Sequence, residues 1–440
     1  MRKLLLIQPS PYDKFKRPIK KKRLYFVGLA MPLLAAMAPE DWTVEIVLEL
    51  LEEVPMDTDA DLIGISTMGH GVIRSIDLAR AFRERGKTVI LGGYMASIMA
   101  EEALKYCDAV VVGDAELVWK ELLEDFKKGR LKKIYRNELK NGSFSTPLPR
   151  FDLIMDKPIG DFLPVQAGRG CPNNCSFCSV ACLYKGHYIK KSLEEVIRDI
   201  QQVADLGFKK FLLLDDNIFS DREYLLELMK HIKSMNMSWM SQCDIRIGED
   251  DELLRILADS GCTTLSFGLE SISKESLKAM NKGWANPSDY PRLIRNIRSH
   301  GIDVSTEMVV GGEGDTIASI KDTKEFIERN KIGVPRFYIL TPIPGTRFFK
   351  EIEKQKRLVK EDIYSFDGTE AVYMPANMSP EELTEAYWQL YESLFTIPSI
   401  VKRNIFRREF IKNPGKYLFN CIVNLYYRHQ IKQRITPNIF

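Results

Sequence analysis

A long hydrophobic run is missing from this sequence. The longest apolar stretch, FVGLAMPLLAAMAP from Phe26, is shorter than the roughly 20 residues that a membrane-spanning helix needs, and it contains two prolines. The apolar run near the N-terminus, in MRKLLLIQPSP, is too short for a signal-peptide core and predicts a first β-strand. The sequence therefore predicts neither a transmembrane segment nor a secretory leader.

A large net charge is missing as well. The 440 residues have a formal net charge of only +3, which indicates no nucleic acid or other polyanionic partner. The basic run KFKRPIKKKR, residues 14–23, is a local exception. It predicts a solvated charged loop, and contact with phosphate groups or with an anionic membrane surface are the alternatives.

Cysteine is too scarce for a disulfide scaffold. The chain has eight cysteines, three of them in one short motif, which is typical of a protein from a reducing compartment. We therefore expect a cytoplasmic protein.

The motif AGRGCPNNCSFCSV places Cys171, Cys175 and Cys178 in a Cys-x3-Cys-x2-Cys triplet. Thiolates are the usual ligands of iron-sulfur clusters, and an ordinary electron-carrier cluster has four of them. Three thiolates leave one iron of a four-iron cluster open to a small-molecule ligand. The alternative is a zinc site, for which Cys182 could provide the fourth ligand.

Strands and helices alternate along most of the chain. In residues 1–135, near-continuous apolar strands predict a buried parallel sheet in a doubly wound, Rossmann-like α/β domain. After a linker at 136–160, residues 161–347 repeat strand and helix at the spacing of a partial, TIM-like β/α barrel. Residues 348–440 predict a helical C-terminal extension, so the fold class is α/β with a helical tail.

Polar residues and glycines follow the strands of the predicted barrel, where such barrels place their active residues. They are Asp215, Asp216 and Asn217 after one strand, Asp244 and Arg246 after the next, Glu270 in a Gly-x-Glu sequence, and the turn at Gly311 and Gly312.

The cysteine triplet and the strand ends that follow it resemble the radical S-adenosylmethionine (radical SAM) superfamily. The resemblance implies a 4Fe-4S cluster on the three cysteines, which binds S-adenosylmethionine through its open iron and cleaves it to a 5′-deoxyadenosyl radical. It also implies a cofactor pocket that includes Phe177, Asp216, Glu270, Gly311 and Gly312.

Together with this motif, residues 1–135 resemble the cobalamin-binding domain of cobalamin-dependent radical SAM enzymes. The Asp-x-His-x-x-Gly signature, which supplies a histidine to cobalt in many cobalamin domains, is absent. We therefore expect no axial histidine. His70, in STMGHG after the third predicted strand, is a candidate for contact with the corrin, and an ordinary polar surface position is the alternative.

The last fifty residues are rich in Arg, Lys, Tyr and Phe. They predict a helical cap packed on the barrel, or an interfacial helix that brings a hydrophobic substrate from a membrane. With the sequence MSPEEL from Met378, this tail resembles the extension of cobalamin-dependent radical SAM enzymes that methylate hopanoid lipids or modify bacteriochlorophyll rings.

The resemblance implies a cobalamin-dependent radical SAM C-methyltransferase. Its substrate would be a hydrophobic, lipid or tetrapyrrole-like metabolite with an unactivated carbon, and its electron donor a ferredoxin or flavodoxin. Two alternatives stay open: a cobalamin-assisted cyclisation, rearrangement or oxidation, and a non-catalytic corrinoid or iron-sulfur binding protein. We also expect peripheral contact with the inner face of the membrane.

Overall fold

The computed structural model describes residues 1–13, 15–137, 142–360, 366 and 368–437, without the side chain of His70. Lys14 of the basic run lies outside this description. The chain divides into two compact units, of which the first contains Met1–Val165 and Ile189–Phe208. The second contains Gln166–Tyr188 and the chain from Lys209 onward.

The first unit is built on a six-stranded parallel sheet with the strand order β3-β1-β4-β5-β6-β7. Its strands are β1 (Arg2–Gln8), β3 (Trp42–Leu48), β4 (Leu62–Ser66), β5 (Thr88–Gly92), β6 (Ala109–Val112) and β7 (Ile134–Arg136). A further parallel pairing in this unit joins β2 (Leu24–Phe26) to β8 (Ile159–Val165). The helices are α1 (Ala30–Ala36), α2 (Val72–Glu84), α3 (Tyr94–Ile98), α4 (Ala100–Ala103), α5 (Trp119–Lys127) and α7 (Leu193–Asp205).

The strand order of this sheet identifies its ligand-binding edge. The first five strands of the sheet follow the 2-1-3-4-5 order of flavodoxin-like doubly wound folds, which reverses direction between β1 and β4. Both strands are buried, as the apolar runs predicted. In such sheets, ligands bind beyond the carboxyl ends of the strands at the point of reversal. The doubly wound fold predicted from the sequence is therefore confirmed.

The second unit contains five parallel strands, each next to its neighbour in the chain. They are β11 (Lys210–Leu213), β12 (Ser238–Cys243), β13 (Cys262–Glu270), β14 (Asp303–Val310) and β15 (Pro335–Ile339). The connecting helices are α8 (Arg222–Ser234), α9 (Asp251–Asp259), α10 (Lys274–Ala279), α11 (Tyr290–Ser299), α12 (Ile317–Arg329) and α13 (Arg347–Lys354). This alternation is a partial β/α barrel, as predicted. Short elements flank the cysteines: β9 (Gly168–Gly170), α6 (Ser179–Tyr184) and β10 (Tyr188–Lys190).

The helical C-terminal extension is also confirmed. It consists of α14 (Pro380–Leu394), α15 (Ile397–Asn404), α16 (Arg408–Lys412) and α17 (Pro414–Lys432). A capping box starts α14, because the Ser379 hydroxyl accepts from the Glu382 amide and the Glu382 carboxylate accepts from the Ser379 amide. None of the helices in the described ranges has both the length and the apolar character needed to cross a bilayer.

Candidate functional site

The cysteine loop connects β9 to α6 in the second unit. Cys171 follows β9, and Cys178 is the N-cap residue of α6. Ser176, between them, is held on both sides: its amide donates to the Met280 carbonyl, and its carbonyl accepts from the Phe348 amide, at 2.9 Å each. The loop is thus fixed to the rest of the second unit by its backbone.

Burial makes deprotonation of the three thiols unfavourable in the absence of a nearby cation. It raises the pKa of Cys175 to about 12, and the charges of Cys178 and Cys171 act in the same direction. Burial also raises the pKa of Cys178, although the amides of Val180 and Ala181 oppose it. A bound metal supplies the positive charge that deprotonates a coordinating thiol outright.

The chemistry of these donors fits an iron-sulfur cluster. Three thiols lie on one loop, and the charges of Cys171 and Cys178 raise the pKa of Cys175. Within the described part of the chain, no three His, Cys, Asp or Glu side chains converge on a single point as the ligands of one ion do. A four-iron cluster does not need such convergence, since each thiolate binds a different iron.

Phe177 lies on the inner side of the cysteine loop, against an apolar cluster. The cluster consists of Met280, Val309, Leu340, Phe348, Ile352 and Tyr373. Its place in the cofactor pocket, implied by the resemblance, stays a prediction.

The aspartates after β11 fix the approach to the cysteines. The buried Asp215 carboxylate accepts from the Ala167 amide at 2.9 Å and from the Tyr188 hydroxyl at 3.0 Å. Asp216 accepts from the Gly170 amide at 2.7 Å, one residue before Cys171. Burial raises the pKa of Asp215 to about 6. Both carboxylates thus position the cysteine loop, and a direct role of Asp216 with the cofactor stays a prediction.

Asn217, Asp244 and Arg246 link two strand ends to the cysteine loop. The buried Asn217 amide lies 3.6 Å from the Cys171 sulfur and donates to Asp244 at 3.2 Å. Arg246 donates to both oxygens of Asp244, at 2.9 and 2.8 Å, and to Asn173 at 3.0 Å. Burial would raise the pKa of Asp244, but the hydrogen bonds and the charge of Arg246 hold it below its ordinary value.

Glu270, at the end of β13, is the central carboxylate of the site. Its φ is +60°, an unfavourable backbone conformation for a residue with a side chain, and the β13–β14 register shifts between Gly268 and Glu270. Its carboxylate occupies the space that a Cβ on Gly268 would fill. The Gly-x-Glu sequence therefore has a local cause, because only glycine at 268 leaves room for this orientation of Glu270.

Lys282 neutralises Glu270. Its ammonium lies 2.8 Å from the carboxylate and 2.6 Å from the Gly268 carbonyl, and the two side chains are 9% and 12% exposed. Burial alone would lower the pKa of Lys282, but the charges of Glu270 and Cys175 raise it above its ordinary value. Lys282 therefore keeps its charge next to the cysteine loop.

Sequence reasoning missed Lys282 and Trp284. The Trp284 ring lies beneath two cations, with its centroid 4.1 Å from the Arg246 guanidinium carbon and 5.4 Å from the Lys282 nitrogen. Both residues are in a turn after α10, away from any strand end. Their partners are distant in sequence, so no local pattern indicates their position.

Protein groups surround the glycine turn after β14. The amides of Gly311 and Gly312 donate to the buried Asp315 carboxylate at 2.9 and 3.0 Å. A Cβ on Gly311 would meet Leu383 and Tyr373, and a Cβ on Gly312 would meet Ser276 and Met280. Packing within the second unit is thus one reason for both glycines, and their place in the cofactor pocket stays a prediction.

In the first unit, three glycines lie at the ligand-binding edge of the sheet. Gly69, Gly93 and Gly113 follow β4, β5 and β6 with φ of +53°, +97° and +81°, and no atom lies within 4 Å of a Cβ built on Gly69. His70 is in the short 3-10 helix Gly69–Gly71 after β4, and its side chain lies outside the described part. The backbone at Gly69 is therefore open to a ligand at this edge, whereas a Cβ on Gly93 would meet Thr67.

Much of the basic run is tied to the first unit. Arg17 pairs with Asp13 at 2.8 Å, Arg23 pairs with Asp161 at 2.8 Å, and the Lys20 ammonium donates to two backbone carbonyls. Burial lowers the pKa of Lys21 to about 8.

Comparison with known proteins identifies the class. The family model of the radical SAM superfamily matches residues 165–327, which contain the cysteine triplet and the strand ends through β14. This chain therefore contains a radical SAM domain, as predicted. The class uses a 4Fe-4S cluster and S-adenosylmethionine.

More particular similarities are to bacteriochlorophyll methyltransferases. The chain is 28% identical to a bacteriochlorophyllide d C-12(1)-methyltransferase of Chlorobaculum tepidum, over 80% of this chain and 78% of that protein. It is 27% identical to the C-8(2)-methyltransferase of the same organism, over 92% of each chain. It is also 21% identical to an anaerobic magnesium-protoporphyrin IX monomethyl ester cyclase of Rubrivivax gelatinosus, over 82% and 70%.

The fold is similar to that of a solved cobalamin-dependent radical SAM enzyme. The structure of OxsB with aqua-cobalamin superimposes with a TM-score of 0.69 at 13% identity, and the match covers 97% of this chain and 73% of OxsB. This agreement extends over the doubly wound sheet as well as the barrel.

Proposed function

We propose that this enzyme is a cobalamin-dependent radical SAM C-methyltransferase that acts on an unactivated carbon of a hydrophobic metabolite. The observation that supports it most is the combination of a radical SAM domain with a flavodoxin-order sheet, whose ligand edge has open backbone at Gly69. Two relatives that match over most of their length methylate bacteriochlorophyllides.

Cysteine ligands hold the cluster in this proposal. Cys171, Cys175 and Cys178 bind three of its irons, and Cys182, half-buried in α6, binds none. The bound cluster supplies the electron that cleaves S-adenosylmethionine. Asn217 donates towards the Cys171 sulfur and so stabilises its thiolate.

Glu270 holds the cofactor's amino group in this proposal. A carboxylate fixed in place by Lys282 accepts from an ammonium or hydroxyl without reorganising, because its orientation is already set by Gly268. Arg246, stacked on Trp284, already donates to Asp244 through Nε and one terminal nitrogen, and its other terminal nitrogen suits the cofactor's carboxylate. Phe177, Asp216, Gly311 and Gly312 complete the proposed pocket.

Cobalamin binds to the first unit in this proposal, beyond the carboxyl ends of β1 and β4. The glycines at this edge allow a close backbone approach. His70 is the sole histidine in residues 1–165 and follows β4. We propose that it contacts the corrin at most and does not bind cobalt.

The substrate class follows from the relatives. Tetrapyrrole-like or lipid-like metabolites are hydrophobic, and a small molecule of this kind is the substrate we propose. A ferredoxin or flavodoxin supplies electrons, and peripheral contact with a membrane supplies the substrate.

Product analysis tests the reaction. Anaerobically reconstituted enzyme is incubated with reductant, S-adenosylmethionine with an isotopically labelled methyl group, and bacteriochlorophyllide or hopanoid candidates. Methyl transfer predicts equal amounts of 5′-deoxyadenosine and S-adenosylhomocysteine, with the label in the product. Altered substrate with 5′-deoxyadenosine but no S-adenosylhomocysteine would instead support a cyclase or oxidase, a reaction that the similarity to the protoporphyrin ester cyclase makes the second candidate.

Spectroscopy tests the cobalamin site. The Co(II) form should show no nitrogen splitting from the protein in its paramagnetic resonance spectrum. A splitting that disappears in His70→Ala would contradict the proposed coordination, and failure to bind any corrinoid would contradict cobalamin dependence.

A further inference from the structure

The C-terminal helices expose an unusual amount of apolar surface. Half of the 16 large hydrophobic side chains that are exposed in the described residues lie between Ile397 and Tyr426. Seven of these eight form what we term the C-terminal apolar face, with exposures between 40% and 84%: Phe406, Ile411, Leu418, Phe419, Ile422, Leu425 and Tyr426. Monomeric soluble proteins rarely expose so many apolar side chains together, and such patches mark interaction sites.

This face belongs to a well-packed helix. On α17, Leu418, Ile422 and Leu425 are spaced i, i+4 and i+7 and share one side. The residues on the opposite side of the helix are buried: Tyr417, Asn424, Tyr427, Gln430 and Ile431. The exposure is therefore a property of an ordered amphipathic helix.

Buried charges hold these helices on the barrel. The Arg403 guanidinium donates to the carbonyls of Ile332 and Gly333 at 2.8 and 2.9 Å. Arg407 pairs with the buried Asp303 at 3.3 Å. Since α15 to α17 are attached to the barrel on their inner side, the exposed apolar side chains of α17 point away from the barrel.

The charge of this segment is strongly positive. Residues 397–437 contain nine Lys and Arg and a single carboxylate, Glu409, which gives +8, whereas the whole chain has +3 and the remainder therefore −5. Glu409 is itself paired with Arg407 at 3.2 Å. Arg408, Lys412 and Lys432 are exposed next to the apolar residues.

We propose that the C-terminal apolar face docks on the surface of an anionic lipid bilayer, with α17 lying in the interfacial plane. A helix with one apolar side and surrounding basic residues binds in this way, because the apolar side chains enter the acyl boundary while the cations meet anionic headgroups. The inference concerns membrane association alone and does not depend on which reaction the enzyme performs.

A second copy of the chain is a poorer occupant. In a symmetric dimer through this face, Arg408, Lys412 and Lys432 would meet the same three cations of the other copy. Such like-charge contacts are repulsive, and no carboxylate of the segment other than the paired Glu409 is available to neutralise them.

Vesicle flotation of the full-length holoenzyme tests the proposal. Wild type should float with vesicles that contain phosphatidylglycerol and much less with pure phosphatidylcholine. The variant Leu418→Ser/Ile422→Ser/Leu425→Ser should lower the partition coefficient at least tenfold. Leu117→Ser, at an exposed apolar site of the first unit, is the matched control and should not change it.

A charge variant tests the electrostatic part. Arg408→Gln/Lys412→Gln/Lys432→Gln should lower partitioning onto phosphatidylglycerol vesicles by roughly 100-fold, since each basic residue near such a surface contributes about fivefold, and should leave the weak binding to phosphatidylcholine unchanged. Circular dichroism and iron content confirm that the variants fold.

Three outcomes would overturn the inference. The first is a wild type that does not float with anionic vesicles under any salt condition, and the second is an apolar triple variant that binds as wild type does. Light scattering could also show a dimer that the apolar triple variant dissociates, in protein that does not bind vesicles, which would assign the face to self-association.

Discussion

Lys282→Met isolates the ion pair that fixes the central carboxylate. In the folded protein, the lysine nitrogen lies 2.8 Å from Glu270, and neither side chain is more than 12% exposed. Removing the lysine leaves a buried carboxylate without its counter-charge, which costs about 3–5 kcal/mol of stability. The Gly268 carbonyl also loses its 2.6 Å donor. Lys278→Met, at an exposed lysine of α10, should stay within about 0.5 kcal/mol of wild type.

The double variant Glu270→Gln/Lys282→Met separates stability from function. With neither charge present, the desolvation cost disappears, so the double variant should recover most of the stability that Lys282→Met loses. Cleavage of S-adenosylmethionine should nevertheless stay depressed by about 10- to 100-fold, because a neutral amide at 270 loses one charge-assisted hydrogen bond of about 1.5–3 kcal/mol to the cofactor. Glu270→Ala should show the same loss.

The measurements are urea unfolding of the metal-free protein, equilibrium binding of S-adenosylmethionine and formation of 5′-deoxyadenosine, with iron content as a check on the cluster. Two results would refute the reasoning. One is a Lys282→Met variant as stable as Lys278→Met. The other is a double variant whose loss of stability equals the sum of the single losses, since that would show that the two side chains do not interact.

Three other perturbations test the site and its supports. Cys175→Ala should abolish the cluster, and Cys182→Ala should keep it, as measured by iron content and visible absorption; the reverse result would overturn the ligand set. Asp303→Asn should destabilise the protein by about 3–5 kcal/mol and expose the C-terminal helices to proteolysis, because Arg407 and Arg298 lose their buried partner, whereas the exposed Asp322→Asn should be silent. In metal-free protein, the free energy of unfolding should fall by up to about 3 kcal/mol as the pH rises from about 4 to about 6. Over this range, Asp215 loses its proton in the unfolded chain but keeps it in the folded protein, because its folded pKa is raised to about 6. Asp215→Asn should abolish this pH dependence.

The fold could be predicted from the sequence because its signals are local. Buried strands such as β4 and β6 are continuous apolar runs, and helices such as α7 repeat apolar residues at Val196, Ile200 and Val203. β7 and β2, with three residues each, are too short to give such a signal. In the second unit, chain order then determined which strands lie next to each other.

The candidate site could be predicted only in part. The three cysteines are close together in the sequence. Asp215, Asp216 and Glu270 lie at or just after strand ends, so the strand topology predicts the positions of these carboxylates. Lys282 and Trp284 reach the same place from a turn, through contacts that no periodicity indicates. The C-terminal tail was ambiguous for a different reason: apolar residues occupy both sides of α17, and only the packing distinguishes the buried side from the exposed one.

The Gly268, Glu270 and Lys282 arrangement also explains why strain is tolerated at the centre of the site. A non-glycine residue with φ of +60° costs about 1–3 kcal/mol, and such strain persists only where the surroundings determine the conformation more than once. Here, the register shift in β13, the missing side chain at Gly268 and the ammonium of Lys282 all select one orientation of the Glu270 carboxylate. Glu270 therefore cannot relax to an unstrained backbone conformation without breaking its ion pair with Lys282. A carboxylate held in this way meets a cationic or hydroxyl donor without reorganisation, which is the condition under which an electrostatic contact contributes fully to binding.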